Sequence, residues 1–167
     1  MLMDIETLLS IHPLNWLDIG TGVLCGAIVG LERQLRGKPV GIRTSSLIVL
    51  GTYIFIAISI EVTNKAGDPS RIIGQIVTGI GFLGAGVMLA RDGVVIGVTS
   101  AATIWALAAI GTCIPIVGPG LAIKMALVVV GILYGVDLLE EYSTAFTRGV
   151  HGKYNNWKNK SERNLIE

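Results

Sequence analysis

Charge is what this chain has least of. Only 15% of its 167 residues are Asp, Glu, Lys or Arg, against roughly 25% in an ordinary soluble domain. A soluble fold of this length exposes too much surface for so few charges to cover. Histidine is limited to His12 and His151, both outside the apolar runs, so a histidine-based catalytic site within them is not expected. Cys25 and Cys113 lie inside the runs without metal-ligand spacing, and read as small buried hydrophobes. Asp4 and Glu6 stand where a cleavable signal peptide would carry Lys or Arg. No nucleophile is paired with a base. The expectation is therefore no enzyme, no catalytic residues, no cofactor and no metal site. The net charge of +1 is carried in short segments and leaves no nucleic-acid footprint.

What is abundant is apolar surface and glycine. Hydrophobic residues make up 51% of the chain and the mean hydropathy is +0.67. The 22 glycines would weaken helices in water, at about 1 kcal/mol each against Ala. In lipid, helices do not gain by hiding apolar surface from one another. Close backbone approach then counts for more, and glycine permits it. The composition predicts an all-α, polytopic transmembrane helical bundle.

A crossing needs about 20 mostly apolar residues. Five runs qualify: Trp16 to about Leu35, Arg43 to Ile60, Ile72 to Ala90, Thr99 or Ser100 to about Val117, and Leu121 to about Leu139. The second is rich in β-branched residues, but a lone strand in lipid leaves its backbone unpaired, so a helix is required. Asp68-Pro69 offers an N-cap followed by Pro at the first helical position. Val94 to Gly97 reads as a short, partly re-entrant loop, and Ile116 to Gly120 as a tight turn. Residues 1–15 form a lead-in, interfacial at most; residues 16–139 form the membrane domain; residues 140–167 form a short basic tail suited to anionic lipid through Lys153, Lys158, Lys160 and Arg163. Five spans put the termini on opposite sides. Arg33, Arg36, Lys38, Arg43, Arg91, Arg148, Lys153, Lys158, Lys160 and Arg163 fall on one side, and Lys65, Arg71 and Lys124 on the other. The first side is expected to be cytoplasmic, with the N-terminus outside.

Gly22, Gly26 and Gly30 repeat every fourth residue, a stripe suited to close helix packing. Asp18 continues that stripe, two residues from Trp16, where an acid is either wetted at the interface or functional. Glu32 and Arg33 end the first helix, and Arg43 and Thr44 open the second. A short hairpin would bring them together, as an ion-pair cluster or as a polar binding site. Gly79, Gly81 and Gly84 match a dinucleotide fingerprint, but the motif requires a strand before it and a helix after it. Here it sits inside an apolar run, so cofactor binding is rejected. With Gly74 and Gly86, these glycines suggest a third helix packed on several sides at the bundle centre. Gln75 on that helix needs a partner in low dielectric. Thr99, Ser100 and Thr103 read as hydroxyls returned to their own backbone, and Asp137 as an interfacial acid.

Three segments together carry a resemblance: Gly26-Ala27-Ile28-Val29-Gly30-Leu31-Glu32-Arg33 with Gly41-Ile42-Arg43-Thr44, then Gln75 to Gly86, then Thr99 to Trp105. In this order they closely resemble the MgtC/SapB family of bacterial inner-membrane proteins. The resemblance covers about Leu17 to Leu138. It implies a multi-pass inner (plasma) membrane protein that supports growth or virulence when magnesium is scarce. It further implies modulation of another membrane complex, the proton-driven ATP synthase through its membrane sector, rather than direct magnesium transport. The family's signature positions fall on Glu32, Arg33, Gly41, Arg43, Thr44, Gln75, Gly79, Gly81, Gly84, Gly86 and Thr103. Many members continue into a folded cytoplasmic domain, in whose place this sequence has the short tail. The functional polar set expected is Glu32, Arg33, Arg43, Thr44, Gln75 and Asp18. The partners expected are the lipid bilayer, a membrane complex and further copies of the chain. The competing expectation is a magnesium or other cation path formed by an oligomer.

Overall fold

The structure, a computed structural model of the chain, describes residues 10–63, 68–91 and 94–142. Its elements run α1 (Trp16–Leu35), α2 (Ile42–Val62), α3 (Pro69–Gly86), β1 (Leu89–Arg91), β2 (Val94–Ile96), α4 (Val98–Ile116) and α5 (Pro119–Tyr142). Three helical stretches, Ile42–Val62, Val98–Ile116 and Pro119–Leu139, are long and apolar enough to cross a membrane. At 21 residues α2 is about 31 Å long, the thickness of a hydrocarbon core. α1 has the length but carries Asp18, Glu32 and Arg33.

α1 and α2 form an antiparallel hairpin in which backbone lies on backbone. A Cβ at Gly30 would come within 2.5 Å of Ile42 Cα, and one at Gly26 would overlap the Ser46 backbone. Gly22 faces Val49 and Ile114 at ordinary contact distance. α4 closes on α2 in the same way: a Cβ at Gly111 would lie 2.5 Å from Val49 O and 2.8 Å from Thr52 Cβ. Around these seams sits the core, with Cys25, Val29, Val49, Tyr53, Leu107 and Ile110 almost wholly buried. α5 completes it through Ala122 and Ala126.

α3 departs from the sequence expectation. It lies at the edge of the bundle, packed on α4 and only thinly on α2. Gly84, 3.6 Å from Ala101 by its would-be Cβ, is the one buried residue of α3 among those whose burial is described. Beyond their own turn of helix, Gly74, Gly79, Gly81 and Gly86 have no atom of the described residues within 4 Å of where a Cβ would be. A helix with so many absent side chains offers little to bury, and the centre is taken by α1, α2 and α4.

Several boundaries also shift. Asp68 caps α3 with Pro69 at its first turn, the start that the Asp68-Pro69 pair predicts, its carboxylate accepting from the Ser70 amide at 2.9 Å; it is the apolar run, Ile72 to Ala90, that begins three residues after the helix and outlasts it by four. The segment read as re-entrant is instead a short antiparallel pair, with Leu89 opposite Ile96 and Arg91 opposite Val94; the turn residues 92 and 93 lie outside the described residues. α4 is capped by neither Thr99 nor Ser100. Gly97 precedes it at φ 93°, against the Val87 carbonyl, a position a side chain would block twice over. Pro115 is held inside the last turn of α4. Most of the lead-in and all of the tail beyond residue 142 lie outside the described residues.

Candidate functional site

The sequence-predicted polar set does not form one site. The hairpin brings Glu32 and Arg33 inward at the basic end of the bundle. Arg33 is 3% exposed and Glu32 9%. Helical spacing explains this. Arg33 follows Val29 and Gly30 on the face turned to the core, so its guanidinium enters among the helices. There its Nη2 donates to Ser100 Oγ on the first turn of α4, at 2.9 Å. Ser100 therefore serves α1 rather than its own backbone. Thr103 does return to its own helix, donating to Thr99 O at 2.8 Å.

Arg36, one turn beyond Glu32, ties the network to α5. Its Nε is 3.1 Å from Glu32 Oε1, and its Nη1 is 2.9 Å from Asp137 Oδ2. Its guanidinium lies 5.2 Å from the centre of the Tyr134 ring, within cation–π range. Asp137 is thus a bridged group rather than a simple interfacial acid. The charges balance, two guanidinium groups against two carboxylates. The hydrogen bonds do not. Neither Glu32 oxygen, nor Arg33 Nε, has a hydrogen-bond partner among the described residues. The Arg36–Glu32 pair is held by charge, with its N–H misaligned on the oxygen, and Arg33 Nη1 stands 4.0 Å from Glu32 Oε2. In low dielectric such a network is costly unless fully satisfied. Among the described residues no three His, Cys, Asp or Glu side chains gather in a way that could hold a metal ion.

Arg43 and Thr44 stand apart from this network. Both are exposed and neither makes a side-chain hydrogen bond or ion pair among the described residues. Thr44 and Gln75 instead line a cleft between α2 and α3. Asp18 lies at the far end of α1. There Tyr53, 1% exposed, accepts from the Asn15 amide at 3.0 Å, three residues before Asp18. α2 continues from Tyr53 to Val62, roughly 13 Å further. Asp18 is therefore set well inside the length of α2, because α1 begins lower than its neighbour ends.

Sequence reasoning missed Arg36, Ser100, Tyr53 and Tyr134 as site members. The signal for Arg36 was present in its i,i+4 spacing from Glu32. The partners on α4 and α5 had no local signal.

An antiparallel helical bundle with membrane-length helices, glycine seams and a buried charge network at one end defines a polytopic membrane protein. Comparison with known proteins narrows the class: a model of the MgtC family matches residues 19–142, and the chain belongs to that family. It is 46% identical over 99 residues to YhiD of Escherichia coli K12, named as a candidate magnesium transporter, covering 55% of this chain and 46% of that protein. It is 44% identical over 95 residues to the protein MgtC of Salmonella typhimurium, covering 57% and 40%. An uncharacterised Haemophilus influenzae protein is 36% identical over 140 residues, covering 78% and 56%. The chain thus spans about half the length of the curated relatives it matches. No solved structure matches it significantly.

Proposed function

We propose that this protein is a non-enzymatic regulator of the MgtC type in the bacterial inner membrane, supporting growth or virulence under magnesium limitation. It acts by helix contact with another membrane complex, the membrane sector of the proton-driven ATP synthase being the partner that the family resemblance implies. The observation that supports this reading is the outward face of α3. Gly74, Thr78, Gly81 and Ala85 share one side of that helix, all exposed, with open space over both glycines. Small residues in this pattern let a foreign helix approach closely in lipid. On this reading the buried network fixes the rest of the bundle while α3 is offered outward, with the basic side cytoplasmic.

A photo-crosslinking residue at Thr78, in cells grown at low magnesium, tests the proposal. The expected product joins this chain to an ATP synthase membrane subunit and disappears with Gly81→Trp. Crosslinks only between copies of the chain would assign the face to a homo-oligomer and defeat the proposal.

A cation path formed by an oligomer is the second reading, favoured by the name of YhiD and by the buried Glu32 carboxylate, which has no hydrogen bond among the described residues. It requires saturable magnesium uptake in sealed proteoliposomes that Glu32→Gln abolishes. The regulator reading expects none.

A further inference from the structure

The cleft between α2 and α3 is not used by the network or by the outward face of α3. It runs from Thr44 to Thr63 along α2 and from Leu83 to Ile72 along α3, and is almost wholly apolar. It exists because α3 leans on α4 and leaves α2, and because Gly51 and Gly79 both contribute no side chain to its middle. The groove face of α3, with Ile72, Gly79 and Leu83, is opposite the small-residue face described above.

Its dimensions select the occupant. The cleft encloses about 860 Å3, or 1640 Å3 with its open rim. Spread over the roughly 29 Å of α2 between Thr44 and Thr63, the larger volume gives a section of at most about 57 Å2. A helix about 10 Å wide needs about 80 Å2 and would ride on the rim. A methylene chain, with carbon contacts at about 3.5–4.0 Å, fits inside.

Charge selects the leaflet and the headgroup. At the basic end Arg43 directly precedes Thr44 and stands one helical turn before Leu47, both of which line the groove; Arg43 itself is exposed and without a hydrogen bond or ion pair among the described residues. No acidic residue shares the first turn of α2. Lys38 is exposed in the preceding loop. Among the described side chains of this end, the acids Glu32 and Asp137 are engaged by Arg36. A free guanidinium at the mouth of an apolar groove is complementary to a phosphodiester bearing a hydrocarbon chain.

We propose that the α2–α3 cleft is a binding site for one anionic phospholipid of the leaflet at the basic end, its phosphate on Arg43 and one acyl chain between Leu47, Gly51 and Leu83. The site absorbs Arg43 and Thr44, which the buried network leaves out. It stands independently of what covers the outward face of α3.

The test is native mass spectrometry of the full chain, delipidated and offered equimolar phosphatidylglycerol and phosphatidylcholine in mixed micelles. One phosphatidylglycerol is expected to be retained, preferred about fivefold, as one basic residue at a lipid surface confers. Arg43→Gln should bring the preference to parity, and Lys124→Gln at the other end should not change it. Gly51→Phe should expel the lipid at unchanged helicity; Leu83→Trp plugs the same half of the groove and replaces it if Gly51→Phe does not fold. Equal retention of both lipids by the wild type, or a preference that survives Arg43→Gln, overturns the proposal. So does a doubled mass in place of the lipid that the plugging variants abolish, which would give the groove to a second copy.

Discussion

In α1, Gly26 and Gly30 lay their backbone against Ser46 and Ile42 of α2, whereas in α3 a Cβ at Gly74, Gly79, Gly81 or Gly86 would meet, beyond its own turn of helix, no atom of the described residues within 4 Å. The same residue type, at similar density, builds a seam in one region and leaves a surface in the other. The difference lies in what surrounds each stripe. α1 adds Cys25, Val29 and Arg33 to its glycine face, all buried, so the close approach is flanked by side chains that fill the remaining space. α3 flanks its outward glycines with Thr78 and Ala85, which fill little. A glycine stripe therefore marks a helix contact only where its neighbours complete the packing, and otherwise marks a place where another molecule can come close.

The sharpest way to break this comparison is to add bulk on each side of it. Gly26→Leu or Gly30→Leu forces a side chain into helix backbone that cannot rotate away. Overpacking ordinarily costs about 1–3 kcal/mol, and the two seam substitutions should reach or exceed the top of that range. Gly81→Ala meets open space and should be neutral or stabilising by up to about 1 kcal/mol through helix propensity. Thermal midpoints of the three variants in one detergent decide it. A Gly81→Ala loss as large as that of Gly30→Leu would mean that α3 is not peripheral.

A second contrast sets the buried network against the open polar residues. Arg33→Met removes the donor to Ser100 and leaves Glu32 buried beside one misaligned partner. Breaking a buried pair from one side costs about 3–5 kcal/mol. Thr44→Val, on the exposed wall of the cleft, should cost almost nothing. Adding Glu32→Gln to Arg33→Met should return part of the loss, since the orphaned charge is then gone. A double variant no better than Arg33→Met would show that the network contributes packing rather than charge balance.

Much of this was legible in the sequence because it is local. The span of α1, the Asp68-Pro69 start of α3 and the Gly22, Gly26 and Gly30 stripe depend on neighbours within one or two turns. What was not legible depends on how helices far apart in sequence meet. Arg33 and Ser100 are separated by 67 positions, and no periodicity in either helix announces the other. The placement of α3 was misjudged for the same reason. Its glycines show that neighbours could approach, but only the side chains of α2 and α4 determine whether they do. Arg43 and Glu32 were grouped because a hairpin joins their helices. Glu32 lies on the buried face of α1 and Arg43 on an exposed face of α2, and how the two helices rotate against each other is not written in either segment.

Arg36 offers a smaller effect. Its side chain is 25% exposed and that of Asp137 31%, so the bridge between α1 and α5 is partly screened. Asp137→Asn, which opens this bridge and leaves the Arg36–Glu32 pair in place, should cost at most about 1 kcal/mol, and less in high salt. The distance distribution between spin labels at Leu35 and Leu138 should nevertheless broaden, because Arg36 is the link between these helix ends. An unchanged distribution would leave Tyr134 and the apolar contacts of α5 as sufficient.

The smallest expected effect concerns the cap of α3. The Ser70 hydroxyl and amide both hydrogen-bond the Asp68 carboxyl and hold it below the usual carboxylate range. A lowered folded value means that the ionised form is favoured by folding. The contribution is complete above the ordinary Asp value of about 3.9, and is lost as the pH falls through the lowered folded value. In 15N spectra, the Ser70 amide should therefore titrate with a midpoint under that ordinary value. Asp68→Asn keeps the cap without the charge and should leave the signal flat over the same window. Because α3 has so little buried against the bundle, this turn has few other contacts to hold it. A midpoint at or above the ordinary value would mean that the cap is not formed, and that the first turn of α3 is looser than the rest of the helix.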